Sequence, residues 1–154
     1  MMRPILAASL LVMTMSALPA DAGEEVRSCE YKMKARGTSG LASVTLTDGV
    51  VSKVDVSVFY SGLPGRPGYT CTVNPSRLEK DDTWTDEAGV TVITNNEPFV
   101  STMPDRVKVT VGKYISIDFA EAQSAGRCGA GAELPQAIVI PAGKGACRVF
   151  LDTP

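Results

Sequence analysis

The groups available for chemistry in this 154-residue chain are carboxylates, serines and four cysteines, because it contains no histidine. Histidine is the usual general base near neutral pH and the commonest metal ligand, so its absence excludes a Ser-His-Asp triad and most zinc or copper sites together. The densest carboxylate set is Glu79, Asp81, Asp82, Asp86 and Glu87, gathered around Trp84. Calcium binding needs oxygens at fixed loop spacing about a glycine turn, and the D-x-[DN]-x-[DN]-G frame is missing there. An acid–base pair needs two carboxylates in unlike environments, which spacing alone does not define. The stretch reads as a solvated acidic edge or turn, with Trp84 packed at its rim. Val111-Gly112-Lys113 and Gly143-Lys144-Gly145 lack the Gly-x-x-x-x-Gly-Lys-[Ser/Thr] frame of a phosphate loop. A hydrolase relying on Asp and Glu alone is the residual catalytic alternative. The expectation is a protein that is not an enzyme and takes no metal or cofactor.

Cys29, Cys71, Cys128 and Cys147 contain no Cys-x-x-Cys pair and are too widely spaced for a redox or zinc motif. Residues 1–22 explain them differently. Arg3 precedes the apolar stretch Ile5–Leu18, and Ala20-Asp21-Ala22 supplies a small-x-small cleavage site before Gly23. This is the pattern of a secretory signal peptide. The stretch is too short for a spanning helix, which needs about 20 residues. Val26-Arg27-Ser28 before Cys29 is not a lipoprotein context, so no membrane anchor is expected after cleavage. Four of the six methionines lie in the leader; Met33 and Met103 alone cannot build a methionine-rich copper site. The destination is periplasmic or secreted, where an even cysteine count implies two disulfides. Of the three pairings, nearest neighbours favour Cys29–Cys71 and Cys128–Cys147, the latter closing a loop of about 20 residues worth roughly 3 kcal/mol.

The elements that would position these residues are strands. Residues 23–154 hold 16 valines and 12 threonines against 6 leucines. Val44 and Leu46 share a face before Asp48-Gly49, a strong two-residue hairpin signal, and Val54, Val56, Val58 and Tyr60 return on one face. Val107, Val109 and Val111 form a second arm, turned at Gly112-Lys113, with Ile115, Ile117 and Phe119 returning. Shorter strands are expected at Glu30–Arg36, Tyr69–Val73, Val90–Thr94, Ala137–Ile140 and Ala146–Leu151. Asn74–Lys80 is the one helical turn, opened by Asn74-Pro75. The sum is a single all-β domain over residues 23–154, a small antiparallel β-barrel or sandwich of about eight disulfide-stabilised strands. With 15 Lys+Arg against 17 Asp+Glu, the net charge of -2 is not that of a nucleic-acid binder.

Two connections stand out. Ser61-Gly62-Leu63-Pro64-Gly65-Arg66-Pro67-Gly68-Tyr69 holds three glycines and two prolines just before Cys71. Prolines lower the freedom lost on binding, and Arg66 and Tyr69 are residue types enriched in interface hot spots. The plainer reading is an ordinary long hairpin connection. Cys128–Pro135 is rich in glycine and alanine, which suits tight backbone packing or, functionally, a surface that receives a partner's side chain.

Together these features resemble the bacterial periplasmic lysozyme inhibitors: an exported, disulfide-bonded small β-barrel with an exposed Ser-Gly…Tyr loop. The resemblance implies a rigid loop, of roughly Ser-Gly-x-x-Tyr or Ser-Gly-x-Tyr form, that enters the lysozyme cleft and faces its catalytic carboxylates. The corresponding positions are Ser61, Gly62 and Tyr69, with Arg66 as the cation toward the acids. Six residues separate Gly62 from Tyr69 here, so a theme is shared rather than a motif. On this reading the acidic Glu79–Glu87 stretch steers strongly basic lysozymes toward the chain. The expectation is a non-enzymatic binding or inhibitor protein with a protein partner. The alternatives are a structural or accessory envelope protein and a small-ligand carrier.

Overall fold

Alternation of apolar and polar residues gives each strand one face that must leave water, and here two such sheets bury those faces against each other. The computed structural model describes residues 23–33, 37–62, 67–129 and 133–151. Residues 1–22 with the expected signal peptide, 34–36 of the expected strand Glu30–Arg36, loop positions 63–66 with Arg66, and 130–132 of the glycine-alanine segment lie outside the described residues. Strands β1 (Glu24–Met33), β2 (Thr38–Thr47), β3 (Val50–Tyr60) and β4 (Tyr69–Val73) form one antiparallel sheet in that order. The second sheet runs β5 (Asp82–Glu87), β6 (Val90–Asn95), β7 (Arg106–Val111), β8 (Ile115–Asp118), β9 (Ala137–Ile140) and β10 (Arg148–Phe150). Helix α1 (Ser124–Cys128) lies between β8 and β9. The architecture is sandwich-like rather than a closed barrel, with ten strands among the described residues instead of about eight.

One core joins the sheets. Val44, Val54 and Val56 face it from the first sheet, and Ile93, Val109, Ile117 and Ile138 from the second, all fully buried. A bulge at Thr45/Leu46 lets Val51 and Val54 both point inward. Asp48 and Gly49 have φ of 54° and 78°, the positive pair a two-residue type I′ hairpin requires. Ala88 and Gly89 repeat this at 48° and 79° between β5 and β6. The expected helical turn at Asn74–Lys80 is absent. Pro75 has no N–H to continue β4, yet the chain stays beside β3: Val54 N–H donates to Pro75 O (3.0 Å), Ser76 bridges Lys53, and Arg77 N–H donates to Ser52 O (3.0 Å).

The disulfides correct the nearest-neighbour expectation. Cys29 pairs with Cys147, and Cys71 with Cys128. Cys29 and Cys71 sit on the two outer strands of one sheet, three strand spacings or about 14 Å apart, whereas a disulfide needs its Cα atoms within about 7 Å. The observed bonds instead lead out of the first sheet from each of its edge strands. Cys29–Cys147 ties β1 to the segment entering β10, beside a Cys147 N–H to Glu30 O bond of 2.9 Å. Cys71–Cys128 ties β4 to α1. No described cysteine is free, which is compatible with an oxidising compartment. Their sequence separations, 118 and 57, correspond to about 4–5 kcal/mol each in loop-closure entropy.

Tyr31 and Gly40 are cross-strand partners, and the tyrosine ring lies over the glycine. A Cβ at Gly40 would meet Tyr31 Cζ and Oη at 2.5 Å and collide with Ser57 O, so the position needs glycine. The Tyr31 hydroxyl is buried without a hydrogen-bond partner. Burial, followed by the neighbouring Tyr69 phenolate, pushes the phenol up from 10.0 to about 12.

Two outcomes are expected. Cys29→Ala/Cys147→Ala should lower stability by about 2–5 kcal/mol in urea titrations, and non-reducing peptide maps of the wild type should join the Cys29 and Cys147 peptides. The Tyr31 phenol keeps its proton longer in the folded state than in the unfolded chain. Its stabilising contribution is therefore complete below pH 10 and lost between pH 10 and 12. Tyr31→Phe should leave neutral-pH stability unchanged or higher and shallow this alkaline loss, as read from urea midpoints across that range.

Candidate functional site

Loop 61–68 leaves the paired ends of β3 and β4, where Tyr60 and Tyr69 face each other across the ladder. Their rings stack with centroids 5.2 Å apart. Ser61 N–H donates to Gly37 O at 2.9 Å, tying this loop to the β1–β2 connection. Gly68 is required by close approach, since a Cβ there would stand 2.5 Å from Tyr60 O. Gly62 has φ of 82°, in the region that favours glycine. The Tyr69 hydroxyl accepts a 3.2 Å bond from Glu133 N–H. Ser61, Gly62 and Tyr69 thus meet at the base of one loop. Ser61 is exposed, while Tyr69 is half-buried and spends its ring and hydroxyl on bracing rather than display.

Two residues beyond Tyr69, Cys71 carries the disulfide to Cys128, and α1 in turn holds a second loop, residues 96–104 between β6 and β7. Asp105 ends that loop with its side chain fully buried. Its carboxylate accepts from Arg127 Nε (2.8 Å), Gln123 N (3.0 Å) and Asn95 Nδ2 (2.8 Å). Gln123, at the N-cap of α1, grips the loop with its carboxamide. Oε1 accepts from Val100 N at 2.6 Å, and Nε2 donates to Val100 O at 3.1 Å and Met103 O at 2.9 Å. The loop displays Phe99, Val100 and Met103, all exposed. Sequence reasoning missed it. The available signal was an apolar trio bracketed by Pro98 and Pro104, where a strand connection is ordinarily polar.

The acidic stretch runs along a sheet edge as expected, with Glu79, Asp81, Asp86 and Glu87 exposed and Trp84 half-buried. Its second half is the edge strand β5, where Asp82, Trp84 and Asp86 share one face, the first two half-buried and Asp86 exposed. Charges on an edge discourage pairing with another chain. Asp86 accepts from both Thr91 Oγ1 (2.7 Å) and Arg77 Nη2 (2.6 Å). The Thr91 bond first, with Arg77 assisting against some desolvation, holds its carboxyl below the usual value. The Arg77 guanidinium also lies 4.7 Å from the Trp84 ring centroid and donates to Val51 O at 2.6 Å, clasping β5 to β3. Burial pushes the Asp82 carboxyl up, while Arg127 acts against that shift. Four strand positions separate Asp82 from Asp86, about 13 Å, beyond the 6.5–9.5 Å at which paired carboxylates flank a glycosidic bond.

An open groove of about 900 Å³ crosses the outer face of the first sheet, with Leu41 and Phe59 on its floor and Glu30 and Lys32 beside them. Searches among protein-family models, curated proteins and solved structures return no match to this chain.

Gln123→Ala should release the second loop without unfolding the domain. The expected loss is about 1–3 kcal/mol for its hydrogen bonds, with amide exchange accelerating at Val100 while core amides on β7 and β8 change only with global stability.

Proposed function

We propose that this chain is an exported, non-enzymatic protein-binding module that acts by presenting loop 61–68 to the cleft of a partner, with a lysozyme as target class. The supporting observation is how completely the base of that loop is anchored. The Tyr60–Tyr69 stack, the Ser61–Gly37 bond, the Tyr69–Glu133 bond and the Cys71–Cys128 disulfide all converge on it. An anchored loop base lowers the entropy lost in the complex, which suits an inhibitor without catalytic groups. Arg66 falls within this loop in the sequence, and a cation suits a cleft lined by carboxylates. The carrier reading has less support, because the space between the sheets is filled by valine and isoleucine side chains. Strand-edge assembly also has less support, given the acids on both faces of β5.

Protein purified with its disulfides formed is expected to inhibit one of the c-, g- or i-type lysozymes stoichiometrically in a turbidity assay. Arg66→Ala and Ser61→Ala should each weaken that inhibition about tenfold or more, the loss of roughly 1.4 kcal/mol or greater, with the melting temperature unchanged. Inhibition of none removes the lysozyme assignment; inhibition unaffected by both substitutions removes the loop.

A further inference from the structure

We infer that loop 96–104 is a second interaction surface, which docks a cationic protein by placing Phe99, Val100 and Met103 in an apolar depression and its acidic flank against a basic rim. The inference rests on the reading of the chain as a protein-binding module, and it names the chemistry of the partner.

Single exposed apolar side chains are ordinary, but a contiguous group is not. Phe99 is 70% exposed and Met103 58%, with Val100 between them at 39%. A slack loop would fold such residues back onto the protein. This one is held open by the Gln123 carboxamide and by the buried Asp105 carboxylate with its Arg127 partner. The root of the Phe99 side chain rests on Gly126, where a Cβ would stand 2.6 Å from Phe99 Cβ and 3.4 Å from Cγ, so α1 supports the residue from beneath while its side chain stays 70% exposed. Aromatic and methionine side chains on a rigid support are what the centre of an interface uses.

The flank supplies the sign of the partner's charge. Asn96 N–H donates to Asp81 O at 3.2 Å and Asn96 Nδ2 donates to Lys80 O at 3.4 Å, which seats residues 79–81 beside the loop. Glu79, Asp81 and Glu97 are exposed and form no salt bridge with any described residue, with Lys80 the cation among them. Such a rim attracts a basic protein and is repelled by an anionic lipid surface, which separates a protein partner from a membrane for this apolar tip.

The test uses the full disulfide-bonded protein, with c-, g- and i-type lysozymes as the cationic probes. Phe99→Ser/Met103→Ser is expected to weaken binding of the responsive lysozyme about a hundredfold, mainly by faster dissociation. Asp81→Asn/Glu97→Gln is expected to slow association and flatten its salt dependence, with melting temperatures unchanged in both. A readout on the wild type needs no variant: peroxide oxidation of Met103, followed by peptide mass spectrometry, should slow at least fivefold in the complex. Full affinity in the double serine variant, with Met103 oxidised as fast bound as free, overturns this inference and leaves the loop 61–68 reading standing. Binding to none of the three lysozymes overturns both. Phe99- and Met103-dependent binding to phosphatidylethanolamine/phosphatidylglycerol vesicles overturns it in favour of a membrane.

Discussion

Two sheets of four and six strands share one apolar interior, and the open sides of that interior have to be closed. On the β1/β10 side the closure is Cys29–Cys147 with its adjoining backbone hydrogen bond. On the β4/β5 side it is Cys71–Cys128, the Arg77 clasp and the Asp105–Arg127 pair. The last of these is a charge taken fully out of water, tolerable because three donors meet the carboxylate. Removing one partner would strand the other, so this pair specifies where α1 must sit.

That specification connects scaffold to display. The short helix receives β4 through the disulfide at its last residue and holds loop 96–104 through Gln123 at its cap. Loop 61–68 springs from the same strand, two residues from Cys71. The contacts that close the sandwich therefore also hold loop 96–104 and the base of loop 61–68. Both edges of the second sheet are blunted: β5 carries acids on both faces, and β10 is only three residues long.

The central hairpins are legible from sequence because their inward residues are valine and isoleucine in strict alternation, and Asp48-Gly49 declares the turn between β2 and β3. β5 is not, since the face that carries Trp84 also carries Asp82 and Asp86, the reverse of a buried pattern, and Ala88 is an unfavourable residue for the positive φ it adopts. The disulfide pairing depended on which strands lie at the sheet edges, and neighbours in sequence proved to be separated across a sheet. Ser61, Gly62 and Tyr69 were legible as a loop base because glycine, proline and a nearby cysteine mark one. The Phe99 loop was not. Its order comes from Asp105, Gln123 and Arg127, which converge only once α1 is fixed and leave no periodic trace.

The central proposal is that loops 61–68 and 96–104, rather than the sheet edges or outer faces, form the binding device. Hydrogen exchange of the whole chain, alone and with the lysozyme proposed as its partner, tests it most directly. The account predicts added protection confined to residues 60–69 and 97–103, with β1, β5 and the Leu41–Phe59 face unchanged. Protection running along an edge strand or across that outer face, with both loops exchanging as in the free protein, would contradict it.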